Sequence, residues 1–248
     1  MSRCAWSAKR KGVFSERPPA KAMAEGATST PAGHPDQIGF SRRRPYLPRV
    51  QKTNLVRDGD GWKTLGSEIH FATPHLTVAI DEVRTPTQPT RKWAVVHRKP
   101  AVVIVPITAE GKIVLIREER IPIRAAIWSM PAGQIDESLE PDEAAIRAVA
   151  ARELREETGY EMAAGGELVS LGYFFSSPGM TDEHCYLFLA RPVQRSAAGP
   201  QHDATEAILD CREFSLDIVR EMIAEGEIRD SNSLSIWARL AARGDIFP

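Results

Sequence analysis

Residues 141–160, PDEAAIRAVAARELREETGY, are the segment that most constrains what this chain can fold into. Pro141 suits a first helical position, Asp142 and Glu143 suit the positive end of a helix dipole, and Gly159 suits the residue after a helix end. The spacing predicts a helix over about 141–158. Stepping about 100° per residue from Glu153 puts Glu157 about 40° to one side and Glu156 about 60° to the other. Ile146, Val149 and Ala150 fall on the same arc, so three acids prolong the stripe that the apolar residues bury. Carboxylates in the last turns of a helix face the negative end of its dipole, at a cost of about 0.3–1 kcal/mol each. Like charges three or four residues apart repel by a few tenths of a kcal/mol more. A bound Mg²⁺ or Mn²⁺ reverses the sign of these terms, because hard cations prefer clustered carboxylate oxygens. A solvated, salt-bridged face is the ordinary fate of such a charge run. Here the acids lie on the inward side, and the Arg152–Glu156 pair runs in the weaker order for helix support.

Around this helix the chain reads as strands. LTVAIDEVRTP (76–86) and KWAVVHRKPAVVIVPI (92–107) alternate or run with β-branched residues, and KIVLIREER (112–120) follows a Glu-Gly turn. Further strands are expected at 167–176, 184–193 and 205–215. Helical spacing returns at 215–228, with Ser215 as N-cap and Gly226 as C-cap, and again at 230–244. Strand runs with interspersed helices predict an α+β fold with a mixed sheet.

Charge divides the chain unevenly. Residues 1–50 hold ten Lys/Arg against three acids, a net of +7, whereas the remainder sets 22 basic residues against 30 acidic ones. An acidic body argues against a general nucleic-acid binder, so no nucleic-acid partner is expected. Residues 1–48, rich in Pro, Gly, Ser, Ala and Arg, are expected to be a disordered basic tail. A transit peptide and an over-extended start fit that composition too. No run approaches the ~20 apolar residues of a membrane span, so no membrane partner is expected. Cys4, Cys185 and Cys211 form no CxxC pair and fit free thiols in a reducing cytoplasm. The histidines show no HxxxH or HExxH spacing, so zinc is not expected.

RELREETGY (152–160) resembles the second half of the Nudix box, G-x5-E-x7-R-E-U-x-E-E-x-G-U, matching at Arg152, Glu153, Leu154, Glu156, Glu157, Gly159 and Tyr160. WSMPAGQIDE (128–137), with Gly133 as the first glycine of the box, is similar to the lead-in of the ADP-ribose pyrophosphatase branch. VLIREERIP (114–122) and SSPGMTDE (176–183) fit that branch as well. One departure stands out: nineteen positions separate Gly133 from Arg152, where the family pattern has fourteen. The middle glutamate of the box therefore has no assigned counterpart, Glu140 and Glu143 both being near.

The resemblance implies a Nudix fold, a mixed β-sheet sandwiched between α-helices, with an N-terminal antiparallel β-subdomain. It divides the chain into a tail (1–48), a β-subdomain for dimerisation and base binding (49–98) and the hydrolase domain (99–248). It implies a Mg²⁺-dependent hydrolase (Mn²⁺ as substitute) that splits the pyrophosphate of ADP-ribose or a related nucleoside diphosphate sugar into AMP and a sugar phosphate. GDP-mannose or a dinucleotide as substrate, or a non-catalytic nucleotide sensor, are the alternatives. The implied metal ligands are Glu153, Glu156, Glu157 and the carbonyl of Ala132, with Arg152 holding a neighbouring glutamate. Glu183 is the implied base that activates water, Asp182 being the alternative. Arg120, and more weakly Arg117, are candidates for the diphosphate beside Gly133. Trp62 and Trp93 are available to sandwich adenine, or simply pack, as is expected still more of Trp128. Similar enzymes exchange N-terminal strands, so a homodimer is expected.

Overall fold

The computed structural model describes residues 56–136, 141–202 and 207–245. The expected basic tail, Glu140 and the start of the 205–215 segment lie outside the described residues.

Two sheets organise the chain. Strands β1 (Lys63–Ala72), β2 (Leu76–Arg84) and β3 (Arg91–Arg98) form a three-stranded antiparallel sheet in that order. The run predicted over 92–107 then breaks at Lys99–Pro100, so β3 and β4 (Ala101–Thr108) belong to different sheets. Proline has no N–H to continue a ladder. The Pro100 carbonyl instead accepts from the Ile135 N–H at 2.9 Å. The second sheet contains β4, β5 (Ile113–Arg120), β6 (Ala125–Ser129), β7 (Ala132–Gln134), β8 (Tyr160–Phe175), β9 (His184–Arg195) and β10 (Ile208–Phe214). Its central order is β10-β5-β4-β9-β8, with β6 on β5 and β7 on β4. The β4–β9 pair is parallel and the others antiparallel, which makes the sheet mixed.

Helices cover both faces. Helix α1 (Glu143–Thr158) buries Ile146, Val149, Ala150 and Leu154 with Val102, Ile104, Val114 and Phe188. On the other face α2 (Leu216–Ala224) and α3 (Ser231–Arg243) bury Val219, Met222, Ile236 and Leu240 against Val103, Val105, Leu115 and Leu187. Ser215 and Asp230 cap these helices, their side chains accepting from the N–H groups of Ile218 and Ser233. This bears out the expected fold, a mixed sheet between helices with an antiparallel sheet on its N-terminal side. No described helix is long and apolar enough to cross a membrane.

Candidate active site

Helix α1 is set at both ends by its own sequence. The Asp142 side chain accepts from the Ala145 N–H at 2.8 Å, and Gly159, at φ 70°, turns the chain out into β8. Its last carbonyls are held from outside as well. Gln201 N–H donates to the Glu156 carbonyl at 2.9 Å, and His202 Nε2 lies 3.1 Å from the Glu157 carbonyl. The Cys211 thiol donates to the Thr158 carbonyl at 3.5 Å, and burial pushes that thiol up to about 11, which keeps it a donor. Helix α1 begins nine residues ahead of Arg152, at Glu143, which pairs with Arg147 at 3.0 Å.

The inward phase of the acids is real for two of the three. Glu153 and Glu157 are 5% and 3% exposed, against a cost of burying charge that demands partners. Those partners come from β7 and from Arg152. Glu157 Oε2 accepts from the Ala132 N–H at 2.8 Å. A Cβ added at Gly133 would lie 2.0 Å from Glu153 Cδ, so the Glu153 carboxylate rests against the bare Cα of that glycine. Arg152 spans its neighbours, with Nη2 2.9 Å from Glu153 Oε1 and Nη1 2.7 Å from Glu156 Oε2. Glu156 itself is half-buried and turned towards Arg152. The structure thus brings Ala132, Gly133, Arg152, Glu153, Glu156 and Glu157 together.

The donor set matches a hard cation in kind: carboxylate oxygens one helical turn apart and withdrawn from water. As the side chains stand, no three His, Cys, Asp or Glu among the described residues converge to enclose an ion.

The loop acids lie beyond the start of β9. Across the sheet Gly133 is opposite Val102 and Val102 opposite Tyr186, and Glu183 precedes Tyr186 by three residues. Glu183 therefore enters at the same end of the sheet, on the order of 10 Å along the strand. Its Oε1 is 3.0 Å from Arg98 Nη1, and its Oε2 accepts from the Ser176 hydroxyl at 2.6 Å. Asp182 accepts from His97 Nδ1 at 2.7 Å and from the Arg98 N–H at 2.9 Å. A cleft of about 310 Å³ lined by His75, His97, Arg98, Lys99, Asp182 and His184 opens here.

The remaining candidates spread out. Alternation along β5 puts Val114, Glu118 and Arg120 on the α1 face and Arg117 on the other, with Leu115. Arg120 Nη2 pairs with Glu118 Oε2 at 2.7 Å. Trp128 packs edge-on against Phe214 at 5.0 Å, on the α2 side. Trp62 and Trp93 belong to the three-stranded sheet region, exposed by 51% and 61%, and are not cross-strand neighbours. Trp93 Nε1–H donates to the Gly179 carbonyl at 3.0 Å.

Sequence reasoning missed Glu118, His97, Arg98 and Ser176. Glu118 carried the same signal as the helix acids, an acidic residue continuing a buried alternation. His97 and Arg98 gave none, because their partners in the loop are distant along the chain, while Ser176 lies seven residues from its partner Glu183.

The NUDIX domain model matches residues 97–234. The chain belongs to the Nudix family. This Nudix chain is 34% identical over 174 residues to the methanol dehydrogenase activator of Bacillus methanolicus, covering 69% of this chain and 88% of that protein. It is 28% identical over 171 residues to the ADP-ribose pyrophosphatase of Bacillus subtilis, with the same two coverages of 69% and 88%. A GDP-mannose pyrophosphatase of Klebsiella pneumoniae is 35% identical over 115 residues, 46% of this chain and 52% of that one. A solved structure titled as an ADP compounds hydrolase shares the fold, with a TM-score of 0.60 at 18% identity, covering 77% of this chain and 97% of that one. These relatives bear out the expectation of a Nudix pyrophosphohydrolase. Nudix hydrolases generally use divalent metal ions.

Proposed function

We propose that this chain hydrolyses the pyrophosphate bond of ADP-ribose or a related nucleoside diphosphate sugar, giving AMP and a sugar phosphate, with Mg²⁺ as the preferred ion and Mn²⁺ as substitute. The observation that carries the reading is the pair of buried glutamates, Glu153 and Glu157, laid against the backbone of Ala132 and Gly133. Glu153, Glu157, Glu156 and the Ala132 carbonyl would hold the ion. A divalent cation held there would neutralise diphosphate charge and lower the pKa of the attacking water. Arg152 keeps two of the glutamates in place. Glu183 takes the proton of the attacking water, with Asp182 as the alternative, and Arg120, steadied by Glu118, meets the diphosphate. Arg117, on the far face, has the weaker claim.

The ADP-ribose pyrophosphatase of Bacillus subtilis, at 28% identity, supports ADP-ribose. The 35% match to a GDP-mannose pyrophosphatase supports a second reading in which only the nucleotide sugar differs. A homodimer in the cytoplasm is the proposed working form, built through the three-stranded sheet. Exposed Trp62, Leu65, Ile69, Phe71 and Trp93 supply an apolar surface for it.

The test is AMP release from ADP-ribose, and from GDP-mannose in parallel, with and without Mg²⁺. Turnover is expected only with the ion, and Glu157→Gln is expected to lower kcat/KM by ~10²–10⁴-fold with an unchanged circular dichroism spectrum. Metal-independent turnover, or an active Glu157→Gln variant, refutes the assignment.

A further inference from the structure

His97, near the end of β3, has a carboxylate oxygen within hydrogen-bond distance of each ring nitrogen. Nδ1 is 2.7 Å from Asp182 Oδ2, and Nε2 is 3.0 Å from Asp81 Oδ2. A neutral imidazole carries one N–H and one lone pair, so one of these contacts would set a lone pair against a carboxylate. Only the imidazolium donates to both.

The two carboxylates are fixed in turn. Asp81, on β2, is buried, and its Oδ1 accepts from the Ser67 hydroxyl at 2.6 Å. Asp182 Oδ1 accepts from the Arg98 N–H at 2.9 Å. Next to it Arg98 Nη1 reaches Glu183 Oε1 at 3.0 Å, and His184 Nδ1 lies 3.2 Å from the Asp182 carbonyl. The charged groups around His97 are thus Asp81 from β2, Asp182 and Glu183 from the loop, and Arg98 on its own strand, with His184 titratable beside them. The same loop is hung on β3 by two backbone carbonyls, Met180 accepting from the Val96 N–H at 2.8 Å and Gly179 from Trp93.

We propose that His97 is a positioning residue: as an imidazolium it clamps the loop 176–183 to the three-stranded sheet and so fixes Glu183, and loss of its proton releases the loop. The consequence for catalysis rests on the reading of Glu183 as the base, whereas the clamp itself does not. The direction of the His97 titration agrees. Burial alone would lower its pKa, but the hydrogen bonds and charges of Asp182 and Asp81 outweigh burial and raise it above the ordinary 6.5. A raised folded-state value means that the clamp is fully made below pH 6.5 and is lost as pH climbs through the raised value.

Three readouts test the clamp in the full-length protein. Nitrogen-15 spectra of the histidine rings should show His97 titrating above 6.5, and Asp81→Asn should shift that midpoint downward. Amide exchange, corrected for intrinsic rates, should show 176–183 protected at about pH 6 and opened at about pH 9, with β4 and β9 unchanged. His97→Gln should open the loop at the lower pH as well. With ADP-ribose and Mg²⁺, the same variant should lose ~10-fold in kcat with KM little changed, and should lose the alkaline dependence of kcat. A His97 midpoint at or below 6.5, or loop exchange indifferent to both pH and His97→Gln, overturns the proposal. Absence of ADP-ribose turnover would refute the substrate reading alone, because the ring titration and the loop exchange need no substrate.

Discussion

Every residue of β1 in the small sheet is exposed, while residues 102–106 of β4 in the large sheet are buried without a break. Both segments are strands in a ladder, so hydrogen bonding does not separate them. Packing does: the large sheet is covered by α1 on one face and by α2 and α3 on the other. The small sheet is joined to the loop before β9 by polar contacts, through Trp93, Val96, His97 and Arg98. Stability is therefore concentrated in one sheet, and the other holds the loop 176–183.

That contrast can be broken most directly with a pair of truncations. Leu187→Ala, fully buried on β9, is expected to cost about 2–5 kcal/mol, and Glu68→Ala on β1 to stay within about 0.5 kcal/mol. Equal losses in denaturant unfolding would show that the small sheet carries core packing after all. A smaller effect on stability, coupled to activity, is expected from Gly133→Ala. Its new methyl collides with the Glu153 carboxylate, so about 1–3 kcal/mol should be lost along with most turnover. Full activity in that variant would mean that the carboxylate does not rest on β7. Trp93→Phe keeps the ring and removes the N–H to Gly179, a change of about 1 kcal/mol or less. It should speed proteolysis within 176–183 and leave the unfolding midpoint nearly unmoved; an intact loop would sever this link between the two regions.

The large sheet was legible where apolar runs are long. Strands β5 and β9 and helices α2 and α3 lie close to the expected boundaries, and β4 is the second half of the run expected over 92–107. Gly226 follows α2 at φ 75°, one residue beyond the cap at Glu225. Strand β1 escaped notice because KTLGSEIHFA, exposed throughout, has no buried face to impose alternation. The first half of β8 was hidden by Gly165 and Gly166, where its register against β9 shifts. Strands β6 and β7 are too short to show a period. At the site, helical phase alone revealed which side of α1 Glu153 and Glu157 occupy. What they rest on was not legible, since the contact with Gly133 depends on where β7 crosses under the helix. The His97–Asp182 contact joins residues 85 positions apart and has no local pattern.

The ladder of β1 against β2 slips twice, between Thr64 and Gly66 and between Ile69 and Phe71. Such bulges twist a strand and interrupt its regular row of donors and acceptors. A strand interrupted in this way is a poor template for adding further copies edge to edge, even with Leu65, Ile69 and Phe71 turned outward. At the opposite border of the same sheet, β3 is occupied by Thr181 through a parallel bridge to Val96. Sticky side chains on a broken edge favour an association that stops at a few molecules, and disfavour open-ended fibrils.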